Sequence, residues 1–389
     1  MSYLWLTRWA PYAPILGGDI DYSRELLHSL ADCKPVHGLV FATPGAAPPA
    51  RSDVTWTFVD FDSPNRLLSL LSPLPNVTFR HLSSAYLEAA VAAANGVDAI
   101  LVDFIGMFWV VEPLIRRLGP RRPPILVIDH NHEHNVRRQM VEAESSPAMK
   151  AVLAVDTWKA GRLERKANRL ADGLVANTEA DRQSFARIVD TPGVVVMPGY
   201  RGGRSPPRVV NAETPRRICV MGGHQSHHKR MVLERMLAAL QRHNVQSCCD
   251  IDIVGPGDNE SFSRRYPDFN FVGYVDDVAA YLQTVRIGLV PDEIGGGFKH
   301  RALTHAFHRT PMLAVHKALA GMGFEAGRHF IGVDTVDDIA RAVPGLLDDF
   351  ETLNALQAAA YAHCDTAYDW ADRGQTLHAF AQQLRAPRS

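Results

Sequence analysis

Hydrophobic positions along this chain fall into short apolar runs separated by longer stretches with helical spacing. Tyr3 to Leu6 predicts a first strand, followed by a turn containing Leu16, Gly17, Gly18 and Asp19 and a helix over roughly Ser23–Ala31. Runs at Gly38–Phe41, Val77–Leu82, Ala99–Val102, Ile125–Ile128, Gly173–Ala176 and Val194–Met197 predict further strands, with a charged helical region near Leu153–Leu170. Strand and helix in alternation predict an α/β fold, a parallel sheet covered by helices on both faces.

Pro198–Pro215 breaks the pattern with the proline-, glycine- and arginine-rich PGYRGGRSPPR and predicts a linker. The alternation then restarts, with strands at Ile218–Met221, Ile251–Val254, Phe269–Val272, Ile287–Val290, Met312–Val315 and His329–Val333. Helices follow at Val336–Leu347 and roughly Thr352–His363, and Trp370–Leu384 closes the chain as an amphipathic stretch with no strand after it. We expect two Rossmann-like domains, 1–203 and 204–367, facing each other across a cleft, and a terminal segment, 368–389. Loops after strand ends are where such sheets bind ligands.

Composition narrows the classes. At 389 residues the chain is too long for one ordinary core, which agrees with two domains. With 41 basic and 42 acidic residues it has no overall charge for gripping nucleic acid. No run approaches the roughly 18 apolar residues that span a bilayer, and Arg8 and Pro11 fall too early for a signal peptide. Five cysteines without a CxxC pair imply reduced thiols and a cytoplasmic protein.

Four strand-end loops carry candidate chemistry. RIGLVPDEIGGGFKHRALTHAFHRTP (Arg286–Pro311) places Asp292, Glu293, Gly295, Gly296, Gly297 and Lys299 between a strand and a helix. Glycines there let backbone N–H groups crowd an anion at the positive end of a helix. MGGHQSHHKR (Met221–Arg230) repeats the device with Gly222, Gly223, His224, Lys229 and Arg230. Two glycine–lysine loops fit one diphosphate, with Glu293 turned toward a sugar hydroxyl. In IDHNHEHNVRR (Ile128–Arg138) the alternating His130, His132 and His134 could ligate zinc, but spacing two without cysteine specifies a metal poorly. His130, nearest the strand end, is the expected substrate contact. Gly17 and Gly18 would let a ligand approach the first helix, and Gly255 in VGPG would help wall a base or ribose pocket.

In its order of segments the chain resembles the GT-B glycosyltransferases of the large, mostly retaining group that includes bacterial sugar transferases of polysaccharide synthesis. The likeness rests on ADGLVANTEADRQSF, VVVMPGY, DIDIVGPG, FNFVGYVDDVAAYL, IGLVPDEIGGGFKHRALTHAFHRTPMLAV and the closing YDW segment. It implies a terminal helix that crosses back to the first domain. It also assigns Lys229, Lys299, Gly18, Gly296 and Gly297 to the donor diphosphate, His224, Gly255 and Thr304 to the nucleotide pocket, and His130 and Glu293 to catalysis. Thr304 stands where the group has a second glutamate, Arg309 where it has a glycine and His224 where it has an arginine.

The expected activity is transfer of a sugar from a nucleotide-diphosphate sugar to a hydroxyl of a glycan, glycolipid or small molecule. Retention follows from the resemblance. Two lysines at the diphosphate and no DxD triplet at a loop end suited to the donor imply no cofactor and no metal. A nucleotide-sugar epimerase and a nucleotide-binding, non-catalytic member are the alternatives, and oligomeric state stays open. Peripheral contact with the inner membrane face is considered for Trp5, Trp9, Phe104, Phe108 and Trp109 and for Arg116, Arg117, Arg121 and Arg122, although such aromatics usually belong to a core and such arginines to a solvated helix end.

Overall fold

The computed structural model describes residues 2–12, 17–45, 48–62, 64–294 and 296–385. Leu16 and Gly295 therefore lie outside the described residues. Two compact units are present: Met1–Gly199 with Gly296–Phe298 and Asp369–Ser389, and Tyr200–Gly295 with Lys299–Tyr368.

The first unit is a seven-stranded parallel sheet. Its strands are β1 (Tyr3–Trp9), β2 (Val36–Phe41), β3 (Val54–Val59), β4 (Ala99–Asp103), β5 (Ile125–Asp129), β6 (Gly173–Ala176) and β7 (Gly193–Val195), in the order β3-β2-β1-β4-β5-β6-β7. Successive side chains of a strand point to opposite faces. Leu4, Leu6, Ile100, Val102 and Val127 accordingly join one core. Tyr3, Trp5, Leu101, Leu126 and Ile128 join the other. Both faces are apolar because helices cover both.

The terminal helix Ala371–Arg385 belongs to this unit. Its Gly374 amide donates to Ser29 Oγ at 2.8 Å, and that hydroxyl donates to the Trp370 carbonyl at 2.9 Å. A Cβ at Gly374 would strike the Ser29 carbonyl, so glycine is what lets the two helices touch. Leu377 and Ala381 complete the core around Tyr22 and Leu26.

The second unit has six parallel strands: β8 (Arg217–Met221), β9 (Asp250–Val254), β10 (Asn270–Gly273), β11 (Ile287–Val290), β12 (Met312–Val315) and β13 (Ile331–Val333), ordered β10-β9-β8-β11-β12-β13. Among the described residues no helix is long and apolar enough to cross a membrane.

Two sequence expectations need correction. Val77–Leu82 forms no strand; Asn76–Phe79 is a helical turn after Pro75, with the Asn76 amide donating to Asp156 Oδ1 at 2.7 Å and the His81 ring meeting the Val77 carbonyl at 2.7 Å. A carboxylate 80 residues away thus outweighs the local β-branched pattern. The unexpected strand is β3, VTWTFV, which pairs with β2 alone and exposes Thr55 and Phe58. An edge strand open to solvent lacks the continuous apolar run that marks its neighbours. Trp56 lies over Gly38, the residue opposite it in register, where a Cβ would have no room.

Candidate functional site

Both sheets reverse direction once, between β1 and β4 and between β8 and β11. At such a point the loops leaving two neighbouring strands diverge and open a crevice beyond the strands' carboxyl ends. Each unit has polar machinery at that point.

In the second unit three glycine turns are stitched together. Gly222 N donates to the Val254 carbonyl at 2.8 Å, His224 N to Pro256 at 2.9 Å and Gly255 N to Gly273 at 2.7 Å. Gly222 (φ 122°) and Gly255 (φ 136°) occupy backbone regions that favour glycine. A Cβ on Gly255 would come within 2.6 Å of the Gly222 carbonyl carbon. A cavity bordered by Gly222, Gly223, His224, Lys229, Pro291, Asp292 and Arg301 lies there. Lys229 sits in the first turn of the helix His227–Arg242. Lys299 precedes the helix His300–Phe307, whose second residue is Arg301. Arg301 meets Asp292 at 3.6 Å. Two helix starts, Lys229 and Arg301 therefore border glycine backbone, an environment suited to an anion, and Lys299 stands just before the second helix.

The remaining predicted residues of this unit are engaged in different ways. His224 is buried edge-on to Phe262, with ring centroids 5.4 Å apart. Burial, helped by the charge of Arg230, lowers its pKa, so the ring is neutral at pH 7. A neutral imidazole can offer a hydrogen bond but not the charge of the arginine it replaces. Glu293 accepts from the Val336 amide at 2.8 Å and pairs with Arg235 at 3.5 Å, so its carboxylate fastens the start of the helix Val336–Leu346. Thr304 Oγ1 donates to the His300 carbonyl one turn back.

In the first unit, Gly17 precedes and Gly18 begins the helix Gly18–Ala31. Arg8, near the end of β1, forms an ion pair with Asp19 and lies 3.9 Å from the Phe104 ring centroid. His130 directly follows β5, and its Nε2 is 2.6 Å from Oδ1 of Asp103, the last residue of β4. Both side chains are buried, and Asp103 also accepts from the Trp5 indole at 3.3 Å. The imidazole packs edge-on to Tyr22 and Phe104 at 5.3 and 5.9 Å. Burial alone would lower its pKa, but the Asp103 charge and hydrogen bond prevail and the pKa is raised. His130 Nδ1 has no hydrogen-bond partner among the described residues.

The neighbouring histidines have other work. His132 Nδ1 lies 3.0 Å from Ser184 Oγ, and burial holds its pKa near 4. Glu164 accepts from the amides of Glu133 and His134 at 2.7 and 3.2 Å and so anchors the loop after His130. Among the described residues no three potential ligands cluster about a metal position. Gly296 and Gly297 group with this unit. At Gly297 (φ 64°) a Cβ would fall 2.7 Å from the His130 carbonyl oxygen, so only glycine fits. Trp5 and Phe108 are buried; Trp9 packs edge-on to Phe41 and Phe61, Trp109 lies beside Tyr86, and exposed Arg116 and Arg117 pair with Glu112 and Glu88.

Three participants were missed by sequence reasoning: Asp103, Arg301 and the Arg8–Asp19 pair. Asp103 did leave a signal, because AILVD ends an apolar strand on a carboxylate as ILVID does at Asp129. Arg301 stands two residues after Lys299 in the same glycine-rich segment.

Residues 227–379 match the model of a family described as glycosyl transferase-like. Among solved structures, sucrose-phosphate synthase from Thermosynechococcus elongatus superposes with a TM-score of 0.75 at 15% identity, covering 99% of each chain. HepE from Anabaena, in complex with UDP and glucose, gives 0.66 at 12% identity over 98% of this chain and 99% of its own. The α,α-trehalose 6-phosphate synthase from Burkholderia multivorans gives 0.61 at 14% identity over 100% of both. No curated protein matches the sequence significantly.

Proposed function

We propose that this chain, a glycosyltransferase of the GT-B fold with a glycosyl transferase-like domain over residues 227–379, moves a glycosyl unit from a nucleotide-diphosphate sugar to a hydroxyl acceptor, with retention and without a metal. The observation that carries the reading is the β8/β11 crevice of the second unit, where glycine backbone, Lys229 and Arg301 border one cavity at two helix starts, and Lys299 immediately precedes the second of those helices. UDP bound by HepE, a protein of the same fold, supports a nucleoside diphosphate as the donor's leaving group.

The chemistry follows from charge. As the bond from the anomeric carbon to the diphosphate oxygen breaks, negative charge grows on the leaving group. Preorganised cations and N–H dipoles stabilise that charge more in the transition state than in the bound donor. Three side-chain cations fill the role a divalent ion would otherwise take. The acceptor hydroxyl bonds to the anomeric carbon and its proton passes to the departing diphosphate oxygen, so that the products are the glycoside and a nucleoside diphosphate. Gly255 and His224 border the nucleotide, and Thr304 replaces a ribose-binding carboxylate with a single hydroxyl. In the first unit His130, oriented by Asp103 with its pKa raised, is the candidate catalytic side chain. Glu293, the other candidate catalytic residue, holds the Asp292–Glu293 turn in place through Val336 and Arg235, and so positions Asp292 at the crevice of the second unit. Gly18 would allow close approach to the first helix, and Gly296 and Gly297 would do so beside His130.

The test is a transfer assay across nucleotide sugars and hydroxyl acceptors with excess EDTA, the product's anomeric configuration being read by NMR. Transfer with retention in EDTA is expected. A product of inverted configuration, loss of turnover in EDTA, or epimerised donor without transfer would overturn the corresponding part.

A further inference from the structure

Cys248 and Cys249 are neighbours in sequence, and the fold turns both thiols to one place. They follow the 3-10 turn Val245–Ser247 and directly precede β9. The Val245 carbonyl accepts from the Cys248 amide at 3.0 Å, from Cys248 Sγ at 3.1 Å and from Cys249 Sγ at 3.8 Å. A carbonyl oxygen has two lone pairs for these three donors, so the thiols compete for one acceptor and lie side by side. They also hydrogen-bond to each other. Inside a strand, successive side chains point to opposite faces. This pair stands before the strand begins, with Cys248 at φ −118° and ψ −13°, and both sulfurs share a side.

The two thiols differ in access. Cys248 is half-buried and Cys249 is buried. Burial raises the Cys249 pKa, the Cys248 thiol beside it raises it further, and the Arg216 charge opposes the rise. Arg216 is fixed there by its Nε–H, which donates to the Cys248 carbonyl at 3.1 Å, and by Asp348, whose two carboxylate oxygens lie 2.7 Å from its Nη1. Cys249 therefore stays protonated, and Cys248 is the sulfur that an oxidant reaches first. The other three cysteines have no cysteine beside them in sequence. Cys219 and Cys364 are buried, and Cys33 is exposed in the first unit.

We propose that Cys248 and Cys249 form a reversible two-electron redox site, in which a hydroperoxide oxidises Cys248 and Cys249 closes the pair into a vicinal disulfide. In the first step the Cys248 thiolate attacks the peroxide. An S–O bond forms, the O–O bond breaks, and the released oxygen takes up the proton the thiol gave and leaves as water or an alcohol. In the second step the Cys249 sulfur displaces the oxygen from Cys248. The S–S bond forms, the S–O bond breaks, and hydroxide leaves as water with the Cys249 proton. The two sulfurs lose two electrons and the peroxide gains them. Adjacent Cα atoms are about 3.8 Å apart, below the roughly 4.4–6.8 Å usual for a disulfide, so the closed ring is strained and an external thiol reopens it. Such a bond is a switch and not a staple. The pair stands at the start of β9, whereas Gly255 follows its end, and the site would stand if the glycosyl-transfer reading fell.

The test is titration of the reduced full chain with hydrogen peroxide, followed by alkylation of the remaining thiols and mass spectrometry of the peptide that holds both cysteines. We expect that peptide to lose two hydrogens and both alkylation sites, and to recover both with dithiothreitol. It should oxidise about tenfold or more faster than Cys33, which lacks a neighbouring thiol. In Cys249→Ser the reaction should stop at a Cys248 sulfenic acid, captured by dimedone; in Cys248→Ser, Cys249 should stay reduced. The wild-type measurement stands by itself if a variant at buried Cys249 folds poorly. A wild-type pair that stays open to alkylation, that passes to sulfinic acid without a disulfide, or that oxidises no faster than Cys33 would overturn the proposal. So would a disulfide that joins two copies of the chain in place of the two neighbours.

Discussion

The Asp103 carboxylate lies 2.6 Å from Nε2 of His130, and neither side chain is open to solvent. Burial by itself lowers the pKa of an imidazole, but Asp103 reverses the direction and raises it above 6.5. A group whose folded pKa is raised contributes stability that is complete below its unfolded pKa and is lost as pH rises through the folded one. Asp103→Asn should therefore destabilise by about 3 kcal/mol at pH 5.5, within the range for breaking a buried charge pair. The difference from wild type should shrink as pH rises through the raised His130 pKa. Denaturant unfolding across that rise in pH measures it; a pH-independent difference would count against a charged pair.

Glu293 and the helix Val336–Leu346 form a second coupling. With Val336 N–H and Arg235 on one carboxylate, Glu293→Ala should cost about 1 kcal/mol, the scale of losing a helix-start acceptor. Glu293→Gln keeps an acceptor and should recover most of that. Thermal unfolding of the two variants separates this anchoring from any effect on turnover.

Arg309 answers one departure seen in the sequence. It adopts φ 54°, the left-handed conformation that makes glycine the common residue after a helix, and its guanidinium lies 3.8 Å from the Tyr361 ring centroid. The position still requires the glycine geometry, and the arginine supplies a stacking contact in exchange. Arg309→Gly should be more stable than Arg309→Ala by about 1 kcal/mol, because alanine meets the same backbone strain without the stacking. Equal melting temperatures would refute this.

How much of this was legible in the sequence depended on range. Buried strands such as ILVID and AILVD announce themselves through unbroken apolar runs, and the glycine turns after β8 and β9 through composition. His130 stood out by its place after a strand. Its partner left only the carboxylate that ends AILVD, since Asp103 is 27 residues earlier and the pairing of β4 with β5 is what brings the two together. The edge strand β3 and the turn at Asn76 were misread for the same reason: one is settled by a single pairing neighbour, the other by Asp156. Glu293 suggested a ligand contact, but its Val336 and Arg235 partners come from helices distant in sequence.

Gly255 tests the glycine framework. Its Cβ would press on Gly222 backbone at 2.6 and 2.7 Å, and backbone cannot swing aside as a side chain can. Gly255→Ala should cost about 2–4 kcal/mol through overpacking and left-handed strain. Chemical denaturation measures the loss, and a change below about 0.5 kcal/mol would show that the turns tolerate separation.

The central claim is that the β8/β11 crevice binds a nucleoside diphosphate. A thermal-shift screen of the wild type against UDP, GDP, ADP, CMP and dTDP tests it directly, repeated on Lys229→Ala, Lys299→Ala and Arg301→Ala and on the remote Arg121→Ala. The account predicts a raised melting temperature with one diphosphate, lost or strongly reduced in the first three variants and retained in the fourth. No shift with any nucleotide, or a shift that survives removal of all three cations, would contradict it.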